Sequence, residues 1–263
     1  MDSIVGRSIL EDTVQDVLKM EPIIIPLSLS HVYVLPCNEG YLQIDTGYER
    51  DYPKYRKNLS KAGISISSIK YLVLTHHHDD HAGFLNDMTN DTNCVVIAHE
   101  LSRDLLKGGK NDTSHGGGYV NRFVKFVADI KMRIDTKWTL SFPPFELRDN
   151  DLLVSGDDNV LLRNLGIDGK IVYTPGHCID HLAIVLDNGA AFCGDAAASF
   201  ILWAGTKYCT VFMTDMEQAY RSWQKMIDAG ADTIYPAHGN PFSADKLTQN
   251  IGKIKTADLA RFF

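Results

Sequence analysis

A segment rich in histidine and aspartate follows an apolar run and carries the residue types of a metal site. It reads Thr75-His-His-His-Asp-Asp-His81 and contains His76, His78, Asp80 and His81 in an HxHxDH pattern. Imidazole nitrogens and carboxylate oxygens are ligands that zinc and other divalent cations accept. A loop leaving a buried strand can direct alternate side chains at one point, so we expect these four residues to bind metal.

Three later segments supply further ligand-type residues, each on a tight turn after a predicted strand. They are Thr174-Pro-Gly-His177, Phe192-Cys-Gly-Asp195 and Tyr235-Pro-Ala-His238. Each is weak evidence alone, but binding residues lie disproportionately on loops that a rigid scaffold positions. Together they add His177, Asp195 and His238 to the candidate ligands.

Short strands and helices must position these turns. The apolar patterns predict two or three strands over Ile23–Asp45, and further strands at Ile69–Leu74, Cys94–Ala98, Val160–Leu162, Lys170–Thr174, His181–Leu186, Ala190–Cys193 and Thr233–Tyr235. Helices are predicted over Asp51–Ala62, from near His81, over His99–Lys107, over Asp215–Ala229 and from Ser243. The chain therefore mixes strands and helices throughout its length.

Residues 108–135 have a different character. Gly108-Gly109 and Gly116-Gly117-Gly118 bracket a polar loop, and an apolar series at helical spacing follows: Val120, Phe123, Val124, Val127, Ile130 and Ile134. This pattern predicts an amphipathic helix between glycine hinges. One hypothesis is a lid whose apolar face, including Phe123, forms an acyl pocket, with His115 contacting polar substrate groups. The other is a helix that covers the core or forms a homodimer interface.

The composition predicts one globular domain over residues 1–263. The formal charge is −7 with scattered Lys and Arg, so we expect no nucleic-acid partner. No apolar run reaches the length of a membrane helix, and the N-terminal MDSIVGRSILEDTV has the pattern of neither a signal nor an anchor. Five cysteines without a CxxC pair favour reduced thiols and a cytoplasmic location.

Together with Ile44-Asp45-Thr46-Gly47, these motifs resemble the motif series of the metallo-β-lactamase-fold hydrolases, from about Val32 to Gly239. The resemblance implies an α/β fold, a four-layer αβ/βα sandwich of two mixed sheets with a helical insertion. It also implies a dinuclear metal site at one edge. The first metal would be held by His76, His78 and His177, and the second by Asp80, His81 and His238. Asp195 would bridge them, and Asp45 would steady the metal loops.

The implied activity is that of a dinuclear metal-dependent hydrolase. Two divalent ions, expected to be Zn²⁺ with Mn²⁺ or Fe as alternatives, would share a hydroxide that attacks a small ester, lactone or thioester carbonyl. Asp80 would be the catalytic group that orients the water or accepts its proton. The sequence contains no Gly-x-Ser-x-Gly elbow and no nucleotide-binding glycine motif. A small-molecule phosphodiesterase and a mononuclear iron enzyme resembling persulfide dioxygenases remain the alternatives.

Comparison with individual branches of this superfamily narrows the range of expected substrates. A bridging Asp195 argues against the true β-lactamases, and the stretch after His238 is too short for the glutathione-binding domain of glyoxalase II enzymes. Ala198 stands where many lactonases carry a tyrosine, so Tyr208 becomes a candidate replacement. His181 either lines the site or has a structural role, and His77 is expected to point away from the metals.

Overall fold

The structure is a computed structural model that describes residues 21–134 and 139–261. The N-terminal residues interpreted above as neither signal nor anchor lie outside these ranges, as does residue 135 of the expected insertion. The strands are β1 (Ile23–Pro26), β2 (His31–Cys37), β3 (Gly40–Ile44), β4 (Ile69–Val73), β5 (Val95–His99), β6 (Gly118–Tyr119), β7 (Leu152–Val154), β8 (Gly169–Tyr173), β9 (Leu182–Leu186), β10 (Ala190–Gly194), β11 (Phe212–Met213), β12 (Thr233–Pro236), β13 (Phe242–Ser243) and β14 (Ala260–Arg261).

The α-helices lie between these strands and on the outer faces of the sheets. They are α1 (Tyr52–Lys61), α2 (Asp79–Ala82), α3 (Leu85–Thr92), α4 (Ser102–Gly108), α5 (Arg122–Ile134), α6 (Leu161–Asn164), α7 (Met216–Asp228) and α8 (Asp245–Thr248). Among the described residues, no helix has the length and apolar character that crossing a bilayer requires.

Two mixed sheets form the centre of the fold. The first has the order β1-β2-β3-β4-β5-β7, antiparallel from β1 to β3 and parallel from β3 to β7. The second has the order β13-β12-β10-β9-β8, in which only the β12–β10 pair is parallel. A small third sheet, β11-β6-β14, was not anticipated from the sequence.

Three hydrophobic clusters separate four layers. The central cluster joins the facing sides of the two sheets through residues such as Leu42, Val73, Ile184 and Phe192. On the outer side of the first sheet, side chains of α1 and α3 pack against the strands: Tyr55, Leu59, Leu85 and Met88. On the outer side of the second sheet, α7 contributes Trp223 and Met226. The predicted helix–sheet–sheet–helix sandwich is therefore confirmed.

Strand β9 shows how the sequence specifies this layering. All five residues of Leu182–Leu186 are buried. Leu182, Ile184 and Leu186 belong to the central cluster, whereas Ala183 and Val185 belong to the cluster under α7. Because successive side chains of a strand point to opposite faces, an uninterrupted apolar run is what a sheet covered on both sides requires.

Two predicted elements differ from the observed ones. The strand expected at Val160–Leu162 is wrong, since Leu161–Asn164 forms helix α6. The Asp158 carboxylate accepts hydrogen bonds from the amides of Val160 and Leu161 at 2.8 and 2.6 Å, and this local cap favours a helical turn over an extended run. The helix predicted from Ser243 is present but short, covering only Asp245–Thr248.

The insertion forms the expected helix, but its apolar face is oriented differently from the prediction. Val124 and Ala128 of α5 pack into the cluster under the second sheet. Phe123, Val127 and Ile130, which were expected to cover the metal edge, remain 49%, 43% and 39% exposed. Residues four apart share a helix face, so burial of the Val124–Ala128 row turns the neighbouring apolar row outward.

Two glycines around the insertion, Gly109 and Gly117, are constrained by backbone packing. Gly109 has φ 61°, and a Cβ there would lie 2.7 Å from the Phe142 carbonyl oxygen. At Gly117, with φ 92°, a Cβ would lie 2.3 Å from the Met213 oxygen. A side chain at either position would collide with the backbone of another segment, so only glycine fits. At these two positions the insertion packs against the body of the fold.

The clusters predict where a large truncation destabilises the chain most. Trp223 is fully buried, and its Nε1 donates a 2.6 Å hydrogen bond to the Ala196 carbonyl. We expect Trp223→Ala to lower the free energy of unfolding by about 3–5 kcal/mol in denaturant titrations. Trp203→Ala is the control, because that side chain is 76% exposed and its loss should change stability little. Equal effects of the two changes would contradict this assignment of the core.

Candidate metal centre

The candidate ligands all follow strands closely along the chain, on turns or on one short helix. His76 and His78 follow β4, and the short helix α2 then carries Asp80 and His81. The other three follow strands of the second sheet: His177 after β8, Asp195 after β10 and His238 after β12. The fold thus brings all seven sequence-predicted ligands to one edge of the sandwich.

The first cluster comprises His76, His78 and His177. His78 Nδ1 and His177 Nε2 lie 2.9 Å apart, and the His76 ring centroid lies 4.6 and 4.8 Å from those of the other two. Ligand nitrogens around a tetrahedral zinc at its usual bond lengths lie roughly 3.3 Å apart. The three imidazoles therefore converge as a single cation requires.

The second cluster comprises Asp80, His81 and His238. His238 Nε2 lies 3.1 Å from Asp80 Oδ2, and His81 Nε2 lies 3.8 Å from Asp80 Oδ1. Asp195 reaches both clusters. Its Oδ1 lies 3.4 and 3.3 Å from the Nε2 atoms of His81 and His238, and its Oδ2 lies 3.7 Å from His177 Nε2.

Several atoms at this centre are buried without a hydrogen bond. Among the described residues these include His76 Nε2, His81 Nε2 and Asp195 Oδ1. Leaving a buried polar atom unpaired costs about 1–3 kcal/mol, and more for a charged group. Three such atoms pointing to one region indicate that a cation is the missing partner, so the residues present fit a divalent metal.

The electrostatic environment differs between the two clusters. Burial lowers the pKa of His76, His78 and His177, so these imidazoles are neutral and can bind a metal through a free lone pair. At His238 burial also acts to lower the pKa, but Asp195 and Asp80 outweigh it and raise the pKa to about 9. Without metal, the second cluster therefore holds a proton that a cation would replace.

Asp45 orients the His81 ring of the second cluster through the ring nitrogen that does not face the metal position. Its Oδ2 accepts a 2.8 Å hydrogen bond from His81 Nδ1 and a 2.7 Å bond from the Thr75 hydroxyl, and its Oδ1 accepts the Thr75 amide at 2.7 Å. Asp45 itself has φ 62°, an uncommon conformation for a residue with a side chain. The carboxylate thus fixes the His81 ring so that Nε2 points to the candidate metal position.

Other ligand rings are oriented through backbone carbonyls. His177 Nδ1 donates to the Phe212 oxygen at 2.8 Å, and His238 Nδ1 donates to the Leu29 oxygen at 2.9 Å. In each case the opposite nitrogen, Nε2, is left to face the cluster. A fixed tautomer and ring orientation are what a metal-binding imidazole needs.

Two nearby histidines hold the metal loops in place. His181 is fully buried, its Nε2 accepts the Asp195 amide at 3.1 Å, and its Nδ1 bonds to the Thr174 hydroxyl at 2.8 Å. It therefore positions Asp195, which is the structural role among the two alternatives for this residue. His77 points away from the clusters as expected, toward Asp180 at 2.9 Å.

Three further substrate candidates also lie away from the clusters. His115 is exposed and pairs with Asp112 at 2.5 Å. The Phe123 ring lies 5.9 Å from that of Trp203, and the Tyr208 ring packs 4.7 Å from that of Phe242. None of His115, Phe123 and Tyr208 lines either of the two cavities that border the candidate ligands.

Two cavities open beside the candidate ligands. One, of about 100 Å³, borders His78 and His177, and its lining combines polar residues such as Asp79, Asn111 and Thr113 with Tyr119, Leu140 and Phe212. The other, of about 120 Å³, borders His238 and is lined by residues that include Leu29, Lys131, Ala198, Phe200 and Cys209. Tyr48, Asp80, Asp195 and Val211 line both cavities, which therefore meet at the metal clusters.

Tyr48 is a site residue that the sequence reasoning missed. It stands three positions after Asp45 in the same loop, and this proximity is the one sequence signal that could have revealed it. The Arg50 guanidinium lies 4.8 Å from its ring centroid. Burial, followed by the charges of Asp80 and Asp79, raises the Tyr48 pKa well above its usual range, so the hydroxyl remains a hydrogen-bond donor.

Comparison with known proteins agrees with this geometry. The sequence profile described as the metallo-beta-lactamase superfamily matches residues 27–238, which include all seven candidate ligands. The chain belongs to this superfamily. Members of the metallo-β-lactamase superfamily are metal-dependent hydrolases, so the chain is an enzyme of that kind.

Individual relatives of this superfamily member are distant. A Beta-lactamase-like protein 2 homolog of Drosophila melanogaster is 28% identical, and the match covers 94% of this chain and 69% of that protein. A hydroxyacylglutathione hydrolase of Erwinia tasmaniensis is 26% identical, covering 62% of this chain and 45% of its own length. A subclass B3 metallo-β-lactamase of Bradyrhizobium japonicum has a TM-score of 0.61 at 18% identity, covering 90% and 89% of the two chains. This last similarity shows a shared fold.

The position of Asp195 between the clusters predicts unequal effects of ligand substitutions. Asp195→Ala should weaken both metal sites, because adjacent cations lose the anion between them, whereas His238→Ala should weaken one. Elemental analysis of purified protein measures this as a larger loss of bound metal in the Asp195 variant. Asp187→Ala, which removes an exposed carboxylate paired with Arg163, is the control. Wild-type metal content in Asp195→Ala would show that the bridging assignment is wrong.

Proposed function

We propose that this chain is a dinuclear metal-dependent hydrolase that cleaves small ester, lactone or thioester substrates. The observation that carries the proposal is the Asp195 carboxylate, whose two oxygens face different ligand clusters. A carboxylate in that position suits two cations held close together. The relative named as a hydroxyacylglutathione hydrolase supports a thioester among the candidate substrates.

Two divalent cations, which we expect to be zinc, would supply a water of lowered pKa and would polarise the substrate oxygen. The chain itself places Asp80 beside both cavities, so its carboxylate can orient that water and accept its proton. Burial acts to raise the Asp80 pKa, but His81 and His238 outweigh it and lower the pKa. Asp80 is therefore an ionised acceptor at neutral pH.

Tyr48 supplies a donor where the two cavities meet. Within the described residues its hydroxyl has no hydrogen-bond partner, and its side chain lines both cavities together with Asp80 and Asp195. A carbonyl oxygen that gains negative charge during hydrolysis is stabilised by a donor already held in position. Tyr48 would thus take the role for which the sequence had suggested Tyr208.

Three other features of the structure support parts of this proposal over its alternatives. Both ligand clusters are complete, which supports two metals over the single iron of a persulfide dioxygenase-like enzyme. The small volumes of the cavities support a small-molecule substrate over a polymer. All five cysteines are free thiols, which supports a reducing compartment such as the cytoplasm.

The proposal is tested by metal analysis followed by a substrate panel. Purified protein should contain two equivalents of divalent metal per chain and should hydrolyse esters, lactones or thioesters in preference to phosphodiesters. Chelation should abolish the activity and added Zn²⁺ should restore it. A single iron with oxygen-consuming activity would overturn the proposal, as would preferential cleavage of phosphodiesters.

The role of Tyr48 gives a separate prediction. Tyr48→Phe should lower kcat by roughly a hundredfold, the effect of losing one donor to a developing oxyanion, while the metal content stays unchanged. Tyr71→Phe is the matched control, since it removes a tyrosine hydroxyl from β4 and Tyr71 lines neither cavity. Wild-type kcat in Tyr48→Phe would exclude this role.

A further inference from the structure

Exposed apolar side chains are concentrated on α5 and on the segment 200–204. Among the described residues, eight of the fourteen large apolar side chains that are exposed belong to these two stretches. A single exposed apolar residue is ordinary, but a contiguous group of them marks a binding surface. We call this surface the α5 patch, and its members are Phe123, Phe126, Val127, Ile130 and Ile134 of α5 with Phe200, Leu202 and Trp203.

The two stretches form one continuous surface. The ring centroids of Phe123 and Trp203 lie 5.9 Å apart, in an edge-to-face arrangement. Asn121, just before α5, donates a 2.9 Å hydrogen bond from Nδ2 to the Ala204 oxygen. The opposite side of α5 packs into the hydrophobic cluster under the second sheet. The patch is therefore held in place with its apolar side chains directed outward.

Positive charge borders the apolar part of α5. At about 100° per residue, the five apolar members on the helix fall within a sector roughly 100° wide. Arg122 and Arg133 lie along one side of this sector, and Lys131 lies along the other. Both arginines are exposed, and neither forms an ion pair with another described residue. An apolar stripe between cationic side chains is typical of helices that lie in a membrane interface.

The charge of the patch is opposite to that of the whole chain. Together α5 and residues 200–208 carry five basic residues and one acidic residue, whereas the chain has a formal charge of −7. The acidic residue, Asp129, is paired with Lys125 at 2.8 Å. A second copy of the chain would bring like charges together at this face, which disfavours a dimer. An anionic surface attracts the patch and repels the rest of the protein, so it selects one orientation.

We propose that the α5 patch docks on the surface of a lipid bilayer that contains anionic lipids. The apolar side chains enter the boundary between headgroups and acyl chains, and the basic residues beside them face the lipid phosphates. Trp203 suits this depth, because its indole has an apolar body and a polar N–H. Such docking requires no spanning helix, and a fluid bilayer accommodates a protruding helix without a preformed groove.

Vesicle binding tests the proposal on the whole protein. In co-sedimentation, the protein should bind vesicles of phosphatidylcholine with one third phosphatidylserine. Its partition coefficient should be at least about tenfold lower on pure phosphatidylcholine, since several basic residues then lose their attraction to the surface. Raising the salt concentration should weaken binding to the anionic vesicles, because it screens these charges.

Substitutions at exposed positions locate the docking surface. Phe126→Ala and Trp203→Ala should each lower the partition coefficient on anionic vesicles about tenfold, because each removes an apolar side chain that docking buries. Val160→Ala is the matched control, since Val160 is as exposed as Phe126, at 61%, but lies outside the patch. Thermal unfolding should be the same in all three variants and the wild type, which separates docking from folding.

Charge is tested in the same way. Arg122→Gln and Arg133→Gln should each lower binding to anionic vesicles about fivefold and change binding to pure phosphatidylcholine little. Lys253→Gln removes an exposed cation elsewhere on the protein and should have no effect on either.

The outcomes decide between the possible occupants of the patch. Failure of the wild-type protein to bind anionic vesicles would overturn the proposal, as would equal binding to both kinds of vesicle. Full binding by Phe126→Ala and Trp203→Ala would show that another surface docks. A dimer in light scattering that Phe126→Ala dissociates, without vesicle binding, would identify a second copy as the occupant. None of these measurements uses turnover, so the result is independent of the proposed function.

Discussion

The candidate metal centre is constrained above all by the burial of ligand atoms that have no hydrogen-bond partner. His76 Nε2, His81 Nε2 and Asp195 Oδ1 are removed from water and make no hydrogen bond within the described chain. Such an arrangement is costly unless a cation completes it. Hydrogen bonds from the surrounding chain to the opposite ring nitrogens keep the ligand rings directed at one region. The free energy that stabilises the rest of the fold must therefore offset the cost of burying these atoms.

The supporting structure lies mostly in the body of the fold. Trp223 of α7 bonds to the carbonyl of Ala196, the residue after Asp195, and so connects the outer helix layer to the metal loop. The His181 imidazole accepts the Asp195 amide, and Asp45 holds His81. The His81 ring and the segment that carries Asp195 are thus positioned by groups from three different segments. A site held in this way is rigid before any metal binds, which is the condition for precise coordination.

The edge of the sandwich that carries the candidate ligands is rigid, and it opens into two cavities. Polar groups of the segment that follows α4 border one cavity, and Asn111 is fixed to Asp79 by two hydrogen bonds of 2.8 Å. Small buried residues leave the other cavity open, and helix α5 extends its apolar surface outward. The insertion therefore contributes to both cavities while the second sheet holds its helix through Val124 and Ala128.

The sequence by itself identified the seven candidate ligands, because residue type and spacing are local properties, and the resemblance of its motif series implied the layered fold. Alternate ligands in Thr75–His81 and the continuous apolar run of β9 depend only on residue type and spacing. Tertiary structure decided the positions of Tyr48, His181 and Phe123. His181 bonds to Asp195, 14 positions away, and Phe123 turned outward because Val124 and Ala128 found the core. These outcomes depend on which distant segments meet, and no local periodicity encodes that choice.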